Sequence, residues 1–164
     1  MGCQNKDKAM DRAMIDEYLR GAARPAAAIN DLTPTELDAF PIANTWSIRQ
    51  IVLHLMDSDL IASDRMKRVI AEDNPELIGF DESAFARNLF YGQLDVMMAT
   101  DIFQKNRLLT GRILQALPEE AFRRAGTHNQ RGRVTLEQLV QGMVEHLEHH
   151  LKFLRKKRQL LGKG

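Results

Sequence analysis

The chain is poor in the residues that define several protein classes. Its single cysteine, Cys3, has no partner for an internal disulfide, so nothing in the fold requires an oxidising compartment. Five prolines and ten glycines among 164 residues exclude a collagen-like or low-complexity chain. No apolar run approaches the roughly 20 residues needed to cross a bilayer, and the opening MGCQNKDKAM lacks the apolar centre of a signal peptide. These absences lead us to expect a cytoplasmic protein with no membrane segment. Charge of one sign is also missing: 23 Lys and Arg face 22 Asp and Glu, a net charge of +1, which argues against nucleic acid as a partner. The basic residues Lys152, Arg155, Lys156, Lys157, Arg158 and Lys163 gather at the end, where cations complement a helix dipole. No segment alternates apolar and polar residues well enough to predict a strand.

Four amphipathic helical stretches fill the chain instead. The first is expected from about Lys6 to Asn30, with Met10, Met14 and Tyr18 at four-residue spacing and a kink near Pro25. The second opens on Ser47 with Gln50 three residues later, a capping box, and carries Ile48, Ile51, Val52, Leu55, Ala62, Met66 and Val69. The third covers roughly Leu94 to Leu117, with a short helical lead-in from Ser83 and a stripe of Met98, Ile102, Leu109, Ile113 and Leu117. The fourth opens on a second capping box, Thr135 and Gln138, and continues through Leu136, Leu139, Val140, Met143, Leu147, Leu151 and Leu154 to about Leu160. This pattern predicts an all-α fold, an antiparallel four-helix bundle with long connecting loops, forming one domain over residues 1–164 with a short leader (1–5) and a basic tail (159–164). The eight methionines are expected to fill gaps in its core.

Five histidines occur, and their spacing is informative. At 100° per residue, His150 lies at the centre of the fourth helix's apolar stripe and His146 at its edge, whereas His149 falls on the flank. His54 borders the stripe of the second helix. A core histidine satisfied by a hydrogen bond is one reading of each. The other is a metal site, because imidazoles at i and i+4 can share one cation and a third from another helix leaves a position open. Competing motifs are absent: the run His146-Leu147-Glu148-His149-His150 is not H-E-x-x-H, and no Glu-x-x-His, Gly-rich phosphate loop or G-x-S-x-G occurs.

The stretches WSIRQIVLHLMDS (46–58), GFDESAFA (79–86), HNQRGRVTLEQL (128–139) and EHLEHHL (145–151), in this order and spacing, resemble the DinB/YfiT-like superfamily of small metal-binding helical proteins, and its YfiT-like branch in particular. The resemblance implies a divalent metal, zinc first and nickel next, on His54, His146 and His150, with His149 not ligating. It implies a metal-dependent hydrolase or a low-molecular-weight thiol S-transferase acting on a small molecule, and a homodimer. Three imidazoles and an open position suit either activity: a bound water is acidified towards hydroxide, or a thiol is held as thiolate. Asp57, three residues after His54, is the candidate catalytic carboxylate. Arg131 and Arg133 are candidates to hold the carboxylates of a thiol cofactor. Asp59, inside the apolar stripe, must find a partner such as an arginine. Asp81 and His128 are expected near the cavity and Trp46 as a plug at the start of the second helix. The alternative is a non-catalytic dimeric stress or interaction protein with a structural or vestigial metal.

Overall fold

A computed structural model describes residues 12–164. Its long helices begin where the side chains can satisfy free amides. Ser47 and Thr135 each form both halves of a capping box, starting α4 (Ile48–Ala71) and α7 (Leu136–Leu160). Asp95 accepts from the amides of Met97 and Met98 to start α6 (Val96–Ala116). Each such cap stabilises its helix by about 1 kcal/mol. The first stretch is divided: α1 (Arg12–Arg20) gives way to a 3-10 turn at Gly21–Ala23, and α2 (Arg24–Ile29) resumes with Pro25 in its first turn. That break is the kink expected near Pro25. The expected beginning of this stretch, with Met10 and the leader, lies outside the described residues. Two short helices, α3 (Pro34–Asp38) and α5 (Glu82–Asn88), sit in the connections, the latter matching the lead-in expected from Ser83.

The four-helix bundle is formed by α1 with α2, α4, α6 and α7. Helix α4 packs against α6 and α7, and α1 packs against the same two. Consecutive long helices α6 and α7 therefore stand diagonally across the bundle, as do α1 and α4. Side-chain pairings give the directions. Arg49 reaches Leu94 and Asp59 meets Arg107, so α4 and α6 run the same way. Lys157 reaches Thr45 and His146 meets His54, so α7 opposes α4. Arg12 donates to the carbonyls of Gln115 and Leu117, so α1 opposes α6. Two helices thus point each way, and joining parallel neighbours and diagonal partners is what requires the long loops.

Two of those loops join in a small sheet, contrary to the expectation of no strands. β1 (Glu76–Leu77) pairs parallel to β2 (Ala125–His128), which pairs antiparallel to β3 (Gly132–Thr135). With two to four residues each, these strands are too short to display a period. Gly126 allows the close approach, since a Cβ there would lie 2.7 Å from the Pro75 carbonyl oxygen.

Two apolar clusters fill the bundle, one around Ile51, Val52, Phe103, Leu151 and Leu154, the other around Met66, Leu114, Phe122, Val140 and Leu136. The stripes expected on the second and fourth helices are buried. The stripe expected on the third is not: Met98 is 63% and Leu109 59% exposed, and α6 turns Ala99, Phe103, Arg107, Gly111 and Leu114 inward. Arg107 sets this rotation. It is fully buried, donating from Nε to Asp59 Oδ1 at 2.8 Å on α4, from Nη1 to the Tyr18 carbonyl on α1 and from Nη2 to the Met143 carbonyl on α7. Asn106 completes the carboxylate at 2.7 Å from Asp59 Oδ2. A buried guanidinium must find all its acceptors, and that need outweighs the burial of two apolar side chains. The methionines divide accordingly, with Met66 in the core and Met97 and Met98 outside. The basic end of α7 is drawn into the fold: Lys157 is buried with Nζ 2.6 Å from Thr45 Oγ1, and Arg158 pairs with Asp31 at 2.6 Å.

Candidate metal centre

The pitch of α7 places His146 and His150 one turn apart on its inward face, and α4 brings His54 opposite them. One ring nitrogen from each of the three lies within 4.8 Å of the others. Nε2 of His54 and Nε2 of His146 are 3.0 Å apart. A tetrahedral ion bound at about 2.0–2.1 Å holds its ligand nitrogens about 3.3–3.4 Å from each other, so little rearrangement is needed to seat one. His149 is exposed on the flank, as its wheel position predicts.

The three rings are poised as neutral ligands. Burial first, then the charge of neighbouring histidines, lowers His54 and His150 to about 3. Burial and the charge of Arg107 lower His146 to about 4. Neutral imidazoles facing one another cannot satisfy every nitrogen, and Nδ1 of both His146 and His150 is buried with no hydrogen-bond partner. Three uncharged nitrogen donors without competing protein protons suit a borderline ion such as zinc or nickel. The residues present therefore fit a divalent metal with an open fourth position.

The surroundings orient the ligands. The Trp46 ring packs 4.8 Å from that of His54, so the expected plug also buttresses a ligand. Ser58 Oγ lies 3.4 Å from the same imidazole. Beside the cluster is a cavity of about 200 Å³, lined by His146, Ser58, Glu82, Arg65, Arg131 and Phe80 among others. Two charged residues of this lining, Glu82 and Arg65, were not singled out from sequence. Glu82, the first residue of α5, places Oε2 4.0 Å from His54 Nε2, and burial followed by the charge of Asp81 raises its carboxyl above the usual range. Arg65 enters from α4.

Of the remaining candidates one lines this cavity, and the others, Asp81 and His128 included, are not among its lining residues. Arg131 lines it. Arg133 lies outside it, over an adjoining hollow with Gln141 and Glu145. Asp57 accepts a hydrogen bond from the buried Tyr91 hydroxyl, whose proton is held more firmly by burial and by this carboxylate. Asp59 is tied to Arg107, the arginine partner its position demanded. Asp81 caps α5 through the Ala84 amide, and His128 Nδ1 accepts from the Gln130 amide in the hairpin.

A family model described as the DinB superfamily matches residues 17–154. The chain belongs to the DinB superfamily. Among the chain's relatives is a protein of Halalkalibacterium halodurans, 27% identical over 90% of this chain and 84% of its own length, which bears the name "Putative metal-dependent hydrolase". In fold, this DinB chain resembles YfiT from Bacillus subtilis, described as "a probable metal-dependent hydrolase with an unusual four-helix bundle topology", at a TM-score of 0.89 and 22% identity over 96% of this chain and 93% of that one. It resembles a mycothiol-dependent maleylpyruvate isomerase more distantly, at a TM-score of 0.66 and 10% identity, covering 85% of this chain and 58% of that one. At these identities the two structural likenesses speak for the fold alone.

Proposed function

We propose that this protein is a metal-dependent enzyme that activates a small nucleophile beside its three histidines, with thiol S-transfer as the first reading and hydrolysis as the second. The convergence of His54, His146 and His150 next to an accessible cavity carries the proposal. These residues would hold one divalent ion, zinc in preference to nickel. When bound, the ion supplies Lewis acidity that stabilises a thiolate or a hydroxide at neutral pH.

The chain's own groups do the rest. Glu82 is the carboxylate placed to take the proton: its Oε2 stands 4.0 Å from a ligand nitrogen, and its raised affinity suits a base that must later give the proton back. In thiol transfer the S–H proton passes to Glu82, sulfur bonds to an electrophilic carbon, and the leaving group departs with its electron pair. In hydrolysis the proton comes from water, oxygen bonds to a carbonyl carbon, and Glu82 returns the proton to the departing amine or alcohol. Asp57 is engaged by the Tyr91 hydroxyl, which assigns it a positioning role rather than that of the base. The relatives' names favour hydrolysis, and the isomerase, alike in fold alone, is named for a thiol dependence.

The test is conjugation of monochlorobimane by the metal-loaded protein with a panel of small thiols, run beside esterase and amidase substrates. Turnover in the thiol assay that is lost on metal removal supports transfer, and turnover confined to the second panel supports hydrolysis. Activity that survives removal of the metal overturns both.

A further inference from the structure

Arg65 holds a buried donor that the fold leaves unused. Its Nη2 donates to the Ile78 carbonyl, while its Nε is buried with no hydrogen-bond partner. A buried donor without an acceptor costs about 1–3 kcal/mol, more on a charged group. The adjacent acid does not answer this need, because Asp64 is engaged by Arg68 at 2.8 Å. Arg131 lines the same cavity from the tip of the hairpin, close enough that its charge adds to burial in lowering the Arg65 guanidinium. Among the described residues neither arginine forms an ion pair. Glu82 shares the cavity but stands beside His54. Two guanidiniums outside any ion pair line the cavity together with His146, and they attract an anion to the mouth of the metal centre.

We propose that Arg65 and Arg131 anchor a carboxylate of the substrate, so that the site takes a small carboxylic acid whose reacting end reaches the three histidines. A planar carboxylate offers the paired acceptors that two neighbouring guanidiniums require. This deepens the function proposed above and rests on it for the reacting end alone. It also separates the arginines expected from sequence: both line the adjoining hollow, but only Arg131 of the two also lines the cavity beside the histidines.

The experiment uses the zinc-loaded full chain and two probes that bind zinc through a hydroxamate, succinic acid monohydroxamate and the amide of its carboxyl group, titrated calorimetrically. A charge-assisted anchor makes the acid bind about 10-fold or more tightly than the amide. That preference falls to within about twofold in Arg65→Gln and Arg131→Gln and persists in Arg133→Gln. Arg131 is exposed, so its variant reads the interaction without a folding penalty. Equal binding of the two probes by the unaltered protein, or a preference that survives both substitutions, overturns the proposal. Failure of the metal reading has a separate signature, in which neither probe binds in a zinc-dependent manner. The arginines are then read on the metal-free chain by the thermal shift with succinate against succinamide. A shift with succinate alone, lost in Arg131→Gln, upholds the anchor, and no difference between the two overturns it.

Discussion

Arg107 and the three histidines occupy neighbouring layers of the bundle, and each constrains the other. The Met143 carbonyl that accepts from Arg107 Nη2 lies one turn before His146, so the guanidinium fixes the segment of α7 that presents His146 and His150. Its charge also disfavours a proton on His146. Removing one member of a buried ion pair leaves the other charge uncompensated, which costs about 3–5 kcal/mol. Asp59→Ala is therefore expected to lower the urea unfolding free energy of the metal-free protein by about that amount, well beyond Asp64→Ala, whose partner Arg68 is exposed. At the ligands themselves, the double variant His146→Ala with His150→Ala is expected to hold less than a tenth of the zinc bound by the parent, measured by elemental analysis of protein purified without a histidine tag, because one imidazole cannot retain the ion against buffer. Zinc retained at near one equivalent would place the site elsewhere.

At the scale of helices, the break between α1 and α2 serves the centre of the molecule. A Cβ on Gly21 would lie 2.5 Å from Arg107 Nη1 and 2.7 Å from Leu147 Cδ2. The guanidinium cannot yield, since three helices hold it. Gly21→Ala is expected to destabilise by about 1–3 kcal/mol through overpacking, read as a lowered urea midpoint, while Gly142→Ala, where a Cβ meets nothing within 4 Å, does not. The break was legible from Pro25 and the inward placing of His54, His146 and His150 from their wheel positions, because both follow from local geometry, whereas their reading as one ligand set came from the resemblance. The inward face of α6 was not. Its apolar stripe reads as core, and only the pairing of Arg107 with Asp59, 48 residues away in sequence, turns it outward. Glu82 and Arg65 escaped for the same reason: an acid at a helix start and an arginine on an amphipathic helix are ordinary until long connections bring them to one cavity.

Across the whole molecule, the neutral imidazoles couple stability to pH. In the unfolded chain each takes up a proton near 6.5, whereas in the metal-free fold they resist protonation down to about 3–4. Between these values the unfolded state binds more protons, so stability rises with pH there. The metal-free protein is expected to keep its full stability above about pH 7 and to lose it steadily towards pH 4, seen as a falling urea midpoint, with the slope reduced in the His146→Ala, His150→Ala variant. A midpoint independent of pH from 7 to 5 would mean that the three rings are not desolvated.

The outward stripe of α6 bears on the molecule's assembly. Met97, Met98 and Leu109 are each more than half exposed, with Ile102 and Leu108 beside them. Asp101 and Lys105 lie on the same helix surface and pair at 2.7 Å. A two-fold contact needs a patch that complements itself, and an apolar stripe carrying one acid and one base can do so by exchanging that pair between copies. We therefore propose that a second copy of the chain covers this face. Met98→Lys with Leu109→Lys places like charges opposite each other across the axis and is expected to convert a dimer of about twice 18.7 kDa to a monomer in light scattering, with zinc content unchanged because neither residue touches the histidines. A parent protein that is already monomeric at tens of micromolar, or a dimer that survives both lysines, would assign the stripe to some other contact.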